Sequence, residues 1–411
     1  MIYDIIIIGG GIAGLYTAYK LIKKNPNQKI LILERNRKIG GRIDTYTDKY
    51  YTVEAGAARF HENHTLLLKL IEEMGLKSKM VPISSEFEYI STKTKERIKF
   101  PHEIIGKVIK KSKSEFPDSL KNITFLDYSK QILPPNESQL ILDSFGYSSE
   151  LTDMNAYDTI ILIETQFNPK NQFYVLYGGL TQLIEKMERF LETKSKSVKI
   201  ITKRRVNNIN YVDSPQQFEI SCDEIQKIYK SKKCICAVTK ETLMKLPIFK
   251  PLSPILQLIK TLPLCRIYSK LSETKNFSLS KFTTNNNLRM FIPVDEKSGT
   301  MLISYTDNKY ADYWNNVLSK YGMETVNKKL RQYMKESLDV EIPMLENTHM
   351  FYWKHAVAYF APGFDSQTMP YQILKPYQDI PLFVCGENFS EKNNQWIEGS
   401  LDTSEYILRY M

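Results

Sequence analysis

Three glycines carry the first chemistry in this sequence. Gly9-x-Gly11-x-x-Gly14 follows the run Ile5-Ile6-Ile7-Ile8 and precedes Leu15, Ala18, Tyr19 and Ile22 at helical spacing. In a phosphate-binding turn the first glycine allows the tight bend, and the second lets backbone approach a pyrophosphate. The third lets helix and strand pack closely. The helix N-terminus, with its unpaired N–H groups and dipole, favours the anion. Glu34, at the end of a second apolar run from Ile30 to Leu33, is placed to accept hydrogen bonds from a ribose. Arg35, next in the chain, joins the cofactor contacts. Gly40-Gly41-Arg42 adds a close backbone approach and a guanidinium fork for a phosphate. Alone, either motif is also a plain turn. Together, in this order, they point to FAD rather than NAD.

These residues need a βαβ unit to position them. The apolar run, the glycine turn, the helical spacing ended by Asn25-Pro26-Asn27 and the second run supply one. An amphipathic helix with Leu66, Leu67, Leu70, Ile71 and Met74 on one face follows. Residues 80–172 read as short helices and strands. Gly178-Gly179 opens a helix with Leu183, Ile184, Met187 and Leu191 inward. Strands are expected near 198–209, 233–239, 262–305 and 382–385, a helix over 324–338, and a terminal helix from about Glu398.

Composition narrows the function classes. The chain has 411 residues, 42% hydrophobic and 25% charged, enough for two or three domains and a core without disulfides. Its net charge of +10 is scattered; the densest basic run is Lys107, Lys110, Lys111 and Lys113. With no zinc-finger spacing or aromatic-basic motif, no nucleic-acid partner is expected. Five cysteines without a C-x-x-C argue against a disulfide framework, and Cys234 and Cys236 read as strand core. His61 and His64 read as helix-capping or surface residues, and no metal site is expected. No apolar run approaches the ~18 residues of a membrane span, and Asp4 breaks any leader-like start. A soluble, cytoplasmic protein is the expectation.

The stretch IIIIGGGIAGLYTAYKL…ILILERNRKIGGRIDT resembles the start of the flavin-containing amine oxidase superfamily, which holds monoamine, polyamine and L-amino-acid oxidases. Glu54-Ala55-Gly56-Ala57-Ala58-Arg59-Phe60 resembles its segment along the flavin ring, Gly178-Gly179-Leu180 its helix start, and Arg205-Val206-Asn207-Asn208-Ile209 its adenine-side strand. Tyr359-Phe360-Ala361-Pro362-Gly363 resembles its aromatic turn. Cys385-Gly386-Glu387 and Trp396-Ile397-Glu398-Gly399 resemble its closing signature. The Lys-, Asn- and Ile-rich style is similar to members carried by large DNA viruses, which adds the virion as a location.

The resemblance implies an α/β protein: a Rossmann-like FAD domain, 1–75, 176–240 and 355–411, with a second α+β substrate domain, 76–175 and 241–354. It implies FAD contacts from Ala57, Ala58, Arg59, Phe60, Val206, Gly386, Glu387, Trp396 and Ile397. It also implies oxidation of an amine or amino acid by hydride transfer to flavin N5, with O2 as electron acceptor. A flavin-dependent desaturase, or a flavin binder with vestigial activity, is the alternative. Two departures stand out. Arg266-Ile267-Tyr268 occupies the place of the family's flavin-side lysine, and arginine is charged at any ordinary pH. Arg266 then reads as an anchor for a carboxylate or an anionic flavin, or else as half of a surface ion pair. His355 stands where some members attach FAD through cysteine, so FAD is expected to be non-covalent and His355 to contact substrate. Trp396 is the other expected substrate-facing residue.

Overall fold

The computed structural model describes residues 2–166, 171–194, 196–223, 225–272 and 280–411. Its first sheet is built on the βαβ unit. Strand Ile2–Ile8 lies parallel to Ile30–Leu33 on one side and to Ile225–Cys236 on the other. Val198–Ile201 extends the sheet parallel to Ile30–Leu33, and Leu382–Val384 pairs in parallel with Cys234–Cys236. The antiparallel strands Gln217–Cys222 and Val206–Val212 complete it. The β-branched run Ile5 to Ile8 and its neighbour Ile30 to Leu33 are buried, as strands covered on both faces require. Helices Ile12–Lys24, Thr181–Glu192 and Ile397–Leu408 cover the sheet through Leu15, Leu183 and Leu401, each fully buried. Cys234 and Cys236 lie in this core, as their alternation implied.

The second sheet runs Leu345–Phe360, Ile259–Leu271, Thr300–Asp307, Met290–Asp295, Phe282–Thr284, Glu88–Ile90, Arg97–Lys99. Helix Asn308–Leu338 packs on it with Trp314, Val326 and Leu330 inward, broken at Gly322, where φ is 76°. The expected helix over 324–338 is the second half of this element. Short helices between residues 102 and 166 form a separate apolar cluster around Phe125, Ile141 and Leu151. Strand Leu345–Phe360 is paired with Ile259–Leu271 as far as Ile259↔Phe360, so residues 355–360 run in the second sheet.

Three small strands join the two halves: Arg59–His61 pairs with Phe173–Leu176, which also pairs with Met80–Ile83. They bring residues distant in sequence to one place beside the first sheet.

Candidate functional site

The glycine turn divides its work as its spacing implied. Gly9 has φ +108°, and a Cβ there would lie 2.2 Å from the Ala237 carbonyl oxygen. A Cβ on Gly14 would lie 2.1 Å from the Gly9 carbonyl oxygen, so this glycine serves the close packing of helix on strand. A Cβ on Gly11 would make only ordinary contact, 3.9 Å from Gly41 Cα. Gly11 and Gly41 pack closely, a Cβ on Gly41 lying 3.3 Å from Gly11 Cα, at the carboxyl end of Ile2–Ile8, where an α/β sheet binds its ligand. Helix Ile12–Lys24 begins there with no side-chain cap, leaving its first N–H groups available.

Around this turn, charged groups are already ordered. Glu34, almost fully buried, accepts from Gly10 N–H at 2.8 Å and from Asn36 N–H at 2.7 Å. Each carboxylate oxygen keeps a second lone pair for a ribose hydroxyl. Arg204 N–H donates to the Glu34 carbonyl at 2.8 Å, which draws the start of strand Val206–Val212 to the same edge. Arg35 is exposed. Arg42 forms an ion pair with Glu387 and donates to the Ala356 carbonyl at 2.9 Å. The other oxygen of Glu387 accepts Gln395 N–H at 3.0 Å, tying the Gly386 turn to the approach of the last helix.

The segment Glu54 to Ala58 is held from both sides. Ala57 N–H donates to the Arg42 carbonyl and Ala55 N–H to the Asp44 carbonyl, each at 2.9 Å. From the second sheet, Arg266 and Tyr268 both donate to the Glu54 carbonyl, and Trp353 Nε1–H donates to the Ala55 carbonyl at 2.7 Å. Arg266 is not on a strand surface, and the surface ion pair is ruled out. It is 6% exposed, stacks on the Tyr305 ring at 4.6 Å, and pairs with no acid among the described residues. The Glu54 carboxylate receives Leu180 N–H at 2.6 Å and the Thr45 hydroxyl at 2.9 Å; burial nevertheless pushes it up to about 7.

Trp396 is the N-cap of helix Ile397–Leu408, and its indole N–H is buried without a partner. Its ring meets His64 at 4.9 Å, and the Arg59 guanidinium lies over it at 5.8 Å and over Phe173 at 4.7 Å. Ile397 is buried, while Ala57, Ala58 and Arg59 are partly exposed. Glu398, one residue further, accepts Leu66 and Leu67 N–H and so closes the open end of helix Thr65–Glu73.

Three sequence expectations are corrected. His61 and His64 are buried, not surface: His61 packs edge-on against Phe173 and His64 against Trp396, and His64 stands at the N-cap of helix Thr65–Glu73 without a side-chain capping bond. Phe60 is fully buried and stacked on Tyr174, so its ring packs the core instead of lining a site. His355 lies on an exposed stretch, 3.2 Å from the Thr261 hydroxyl and 3.9 Å from Glu241, and none of its contacts is with Arg266 or Trp396. Sequence reading missed Tyr268, although strand alternation places it on the face of Arg266. It also missed Tyr147, Tyr305 and Phe173, which no motif marks.

A family model described as flavin containing amine oxidoreductase matches residues 12–405. The chain belongs to this family. An uncharacterized protein of Acanthamoeba polyphaga mimivirus is 22% identical over 98% of this chain and 93% of its own length. Amine oxidase [flavin-containing] A of Equus caballus is 29% identical over 129 residues, 31% of this chain and 21% of that one. The structure of cyclohexylamine oxidase from Brevibacterium oxydans IH-35A superposes with a TM-score of 0.76 at 13% identity, covering 100% and 99% of the two chains. The fold is that of the two-domain flavin amine oxidases. This amine oxidoreductase family member is a flavin enzyme, and its cofactor is FAD. The residues fit that group: Gly11 leaves the uncapped start of helix Ile12–Lys24 without a side chain in a pyrophosphate's approach, and the buried indole N–H of Trp396 stands unpartnered at the helix that closes the site. No described helix is long and apolar enough to cross a membrane.

Proposed function

We propose that this enzyme oxidises the C–N bond of a carboxylate-bearing amine, with Arg59 holding the carboxylate. The observation that carries the reading is the state of Arg59. Its guanidinium lies against Phe173 and Trp396 and pairs with no acid among the described residues. A charge in such a place favours an anionic partner. Arg266, the anchor first expected, has both terminal nitrogens committed to Glu54 and Tyr305, so it positions the flavin-side segment instead. FAD, when bound, would supply the two-electron acceptor that takes the substrate C–N bond to the imine level, with O2 as the final oxidant.

The chain's own work is placement. Gly11, Gly41 and Arg42 would hold the pyrophosphate, Glu34 the ribose, and the Val206 backbone the adenine. Gly386 and Glu387 sit at the ribityl arm. The N-terminus of helix Ile397–Leu408 would offer its N–H groups to the flavin ring and favour negative charge on it. Rings of Tyr147, Tyr305, Phe173 and Trp396 keep water from the reacting carbon. We also propose non-covalent FAD and the two-domain division given above, with the strand Leu345–Phe360 shared between domains.

The test is Arg59→Met. The variant should keep FAD, lose flavin reduction by amino acids at least tenfold, and keep whatever reduction plain amines give. Equal loss with both substrate classes would overturn the carboxylate assignment.

A further inference from the structure

A cavity of about 420 Å³ holds His61 and His64, and a second of about 400 Å³ begins at Arg59 and Phe173. The second runs outward between Phe100, Phe145 and the start of strand Phe282–Thr284. Its walls mix aromatic rings with charged groups, Glu86 and Glu88 among them: Phe87 and Phe100 are 5.1 Å apart, Phe100 and Phe145 5.7 Å. A second cation enters this cavity. Lys281 Nζ stands 4.9 Å over the Phe87 ring. Its main chain is fixed, since Glu88 N–H donates to the Lys281 carbonyl at 3.3 Å and the next residue, Phe282, is fully buried in the sheet. Lys281 is therefore held in place by the fold.

Neither Arg59 nor Lys281 forms an ion pair among the described residues, and the two repel each other. Two unneutralised cations in one cavity cost stability unless an anion is to be bound there. Arg59 lies against Phe173 and Trp396, and Lys281 over Phe87. We propose that Lys281 is a specificity residue: it binds a second anionic group, on the part of an apolar-bodied substrate remote from the reacting carbon. This rests on the reading that Arg59 takes the first carboxylate.

The other charged and titratable groups facing the cavity leave this assignment intact. Glu88 lies 3.6 Å from Arg97, Glu86 and Lys99 are exposed, and burial lowers His102 below the usual histidine range. Tyr147 is raised by burial and stays neutral. Burial, and secondarily Arg59, brings Lys281 down to about 7. The free enzyme thus carries the second positive charge below about pH 7 and loses it above, so preference for a doubly charged ligand should fade as pH rises through that point.

The experiment is calorimetric titration of the FAD-loaded enzyme with benzoate, isophthalate and terephthalate at pH 6 and pH 8.5. Wild type should bind at least one dicarboxylate tenfold or more tighter than benzoate at pH 6, with a smaller ratio at pH 8.5. Lys281→Met should bring the ratio to about one at both pH values while leaving benzoate affinity within twofold. Lys281→Arg should keep the preference at pH 8.5. A wild-type ratio of one, or a ratio unchanged in Lys281→Met, overturns the assignment. Loss of benzoate binding in Arg59→Met reports separately on the first carboxylate.

Discussion

The Arg266 guanidinium donates to the main-chain carbonyl of Glu54 across 3.1 Å, fastening a strand of the second sheet to the segment that follows Glu54 in the first half of the molecule. Tyr268 reaches the same oxygen at 2.9 Å. Removing Arg266 leaves the Tyr305 hydroxyl without this donor and the carbonyl with one donor fewer. Arg266→Met should therefore lower stability by about 1–3 kcal/mol, the range for a broken buried hydrogen bond to a charged group. Arg266→Lys should lower it less, since one donor survives. In both, the visible spectrum of bound flavin should shift. Unchanged Tm together with an unchanged spectrum would remove Arg266 from the positioning role.

Gly11 and Gly14 should fail in different ways. Gly14→Ala puts a methyl 2.1 Å from a backbone oxygen, so it should misfold or lose several degrees of Tm. Gly11→Val places its Cβ in ordinary contact, with no backbone clash, the nearest atom being 3.9 Å away. It should fold and lose FAD, because the side chain occupies the phosphate's approach. FAD occupancy by absorbance and apo-protein Tm separate the two results. A Gly11→Val protein that keeps full FAD would contradict the assigned phosphate site.

His64 predicts an acid limit to stability. Burial lowers it to about 3, and His61 is lowered for the same reason. Between about pH 3 and 6.5 the unfolded chain binds a proton at residue 64 that the folded protein does not. Stability from this group is complete above about 6.5 and is lost as pH falls. At pH 5 the loss is at most about 2 kcal/mol. Denaturant midpoints measured from pH 7.5 to 5 should fall more steeply for wild type than for His64→Gln. Parallel slopes would show that His64 is not the source.

The βαβ unit, its glycines and Glu34 were legible because each has a local physical demand: a strand run, a bend, a close approach. Helix Asn308–Leu338 was legible only in its second half, since Gly322 interrupts the first. The buried state of His61 and His64 was not readable, because it depends on Phe173 and Trp396 arriving from elsewhere in the chain. Arg266 was found by position, but its partner Glu54 lies 212 residues away, and nothing local tells an anchor from a clamp. Lys281 carries no motif; only the cavity makes it conspicuous.

The central claim is that this is a working oxidase of a carboxylate-bearing amine. Anaerobic mixing of the FAD-loaded enzyme with a panel of amino acids, monoamines and polyamines, followed by flavin absorbance, tests it most directly. The account predicts bleaching by at least one amino acid, recovery of the oxidised spectrum on admitting O2, and one H2O2 per cycle. A flavin that stays oxidised with every amino acid but bleaches with plain amines, or with nothing at all, would contradict it.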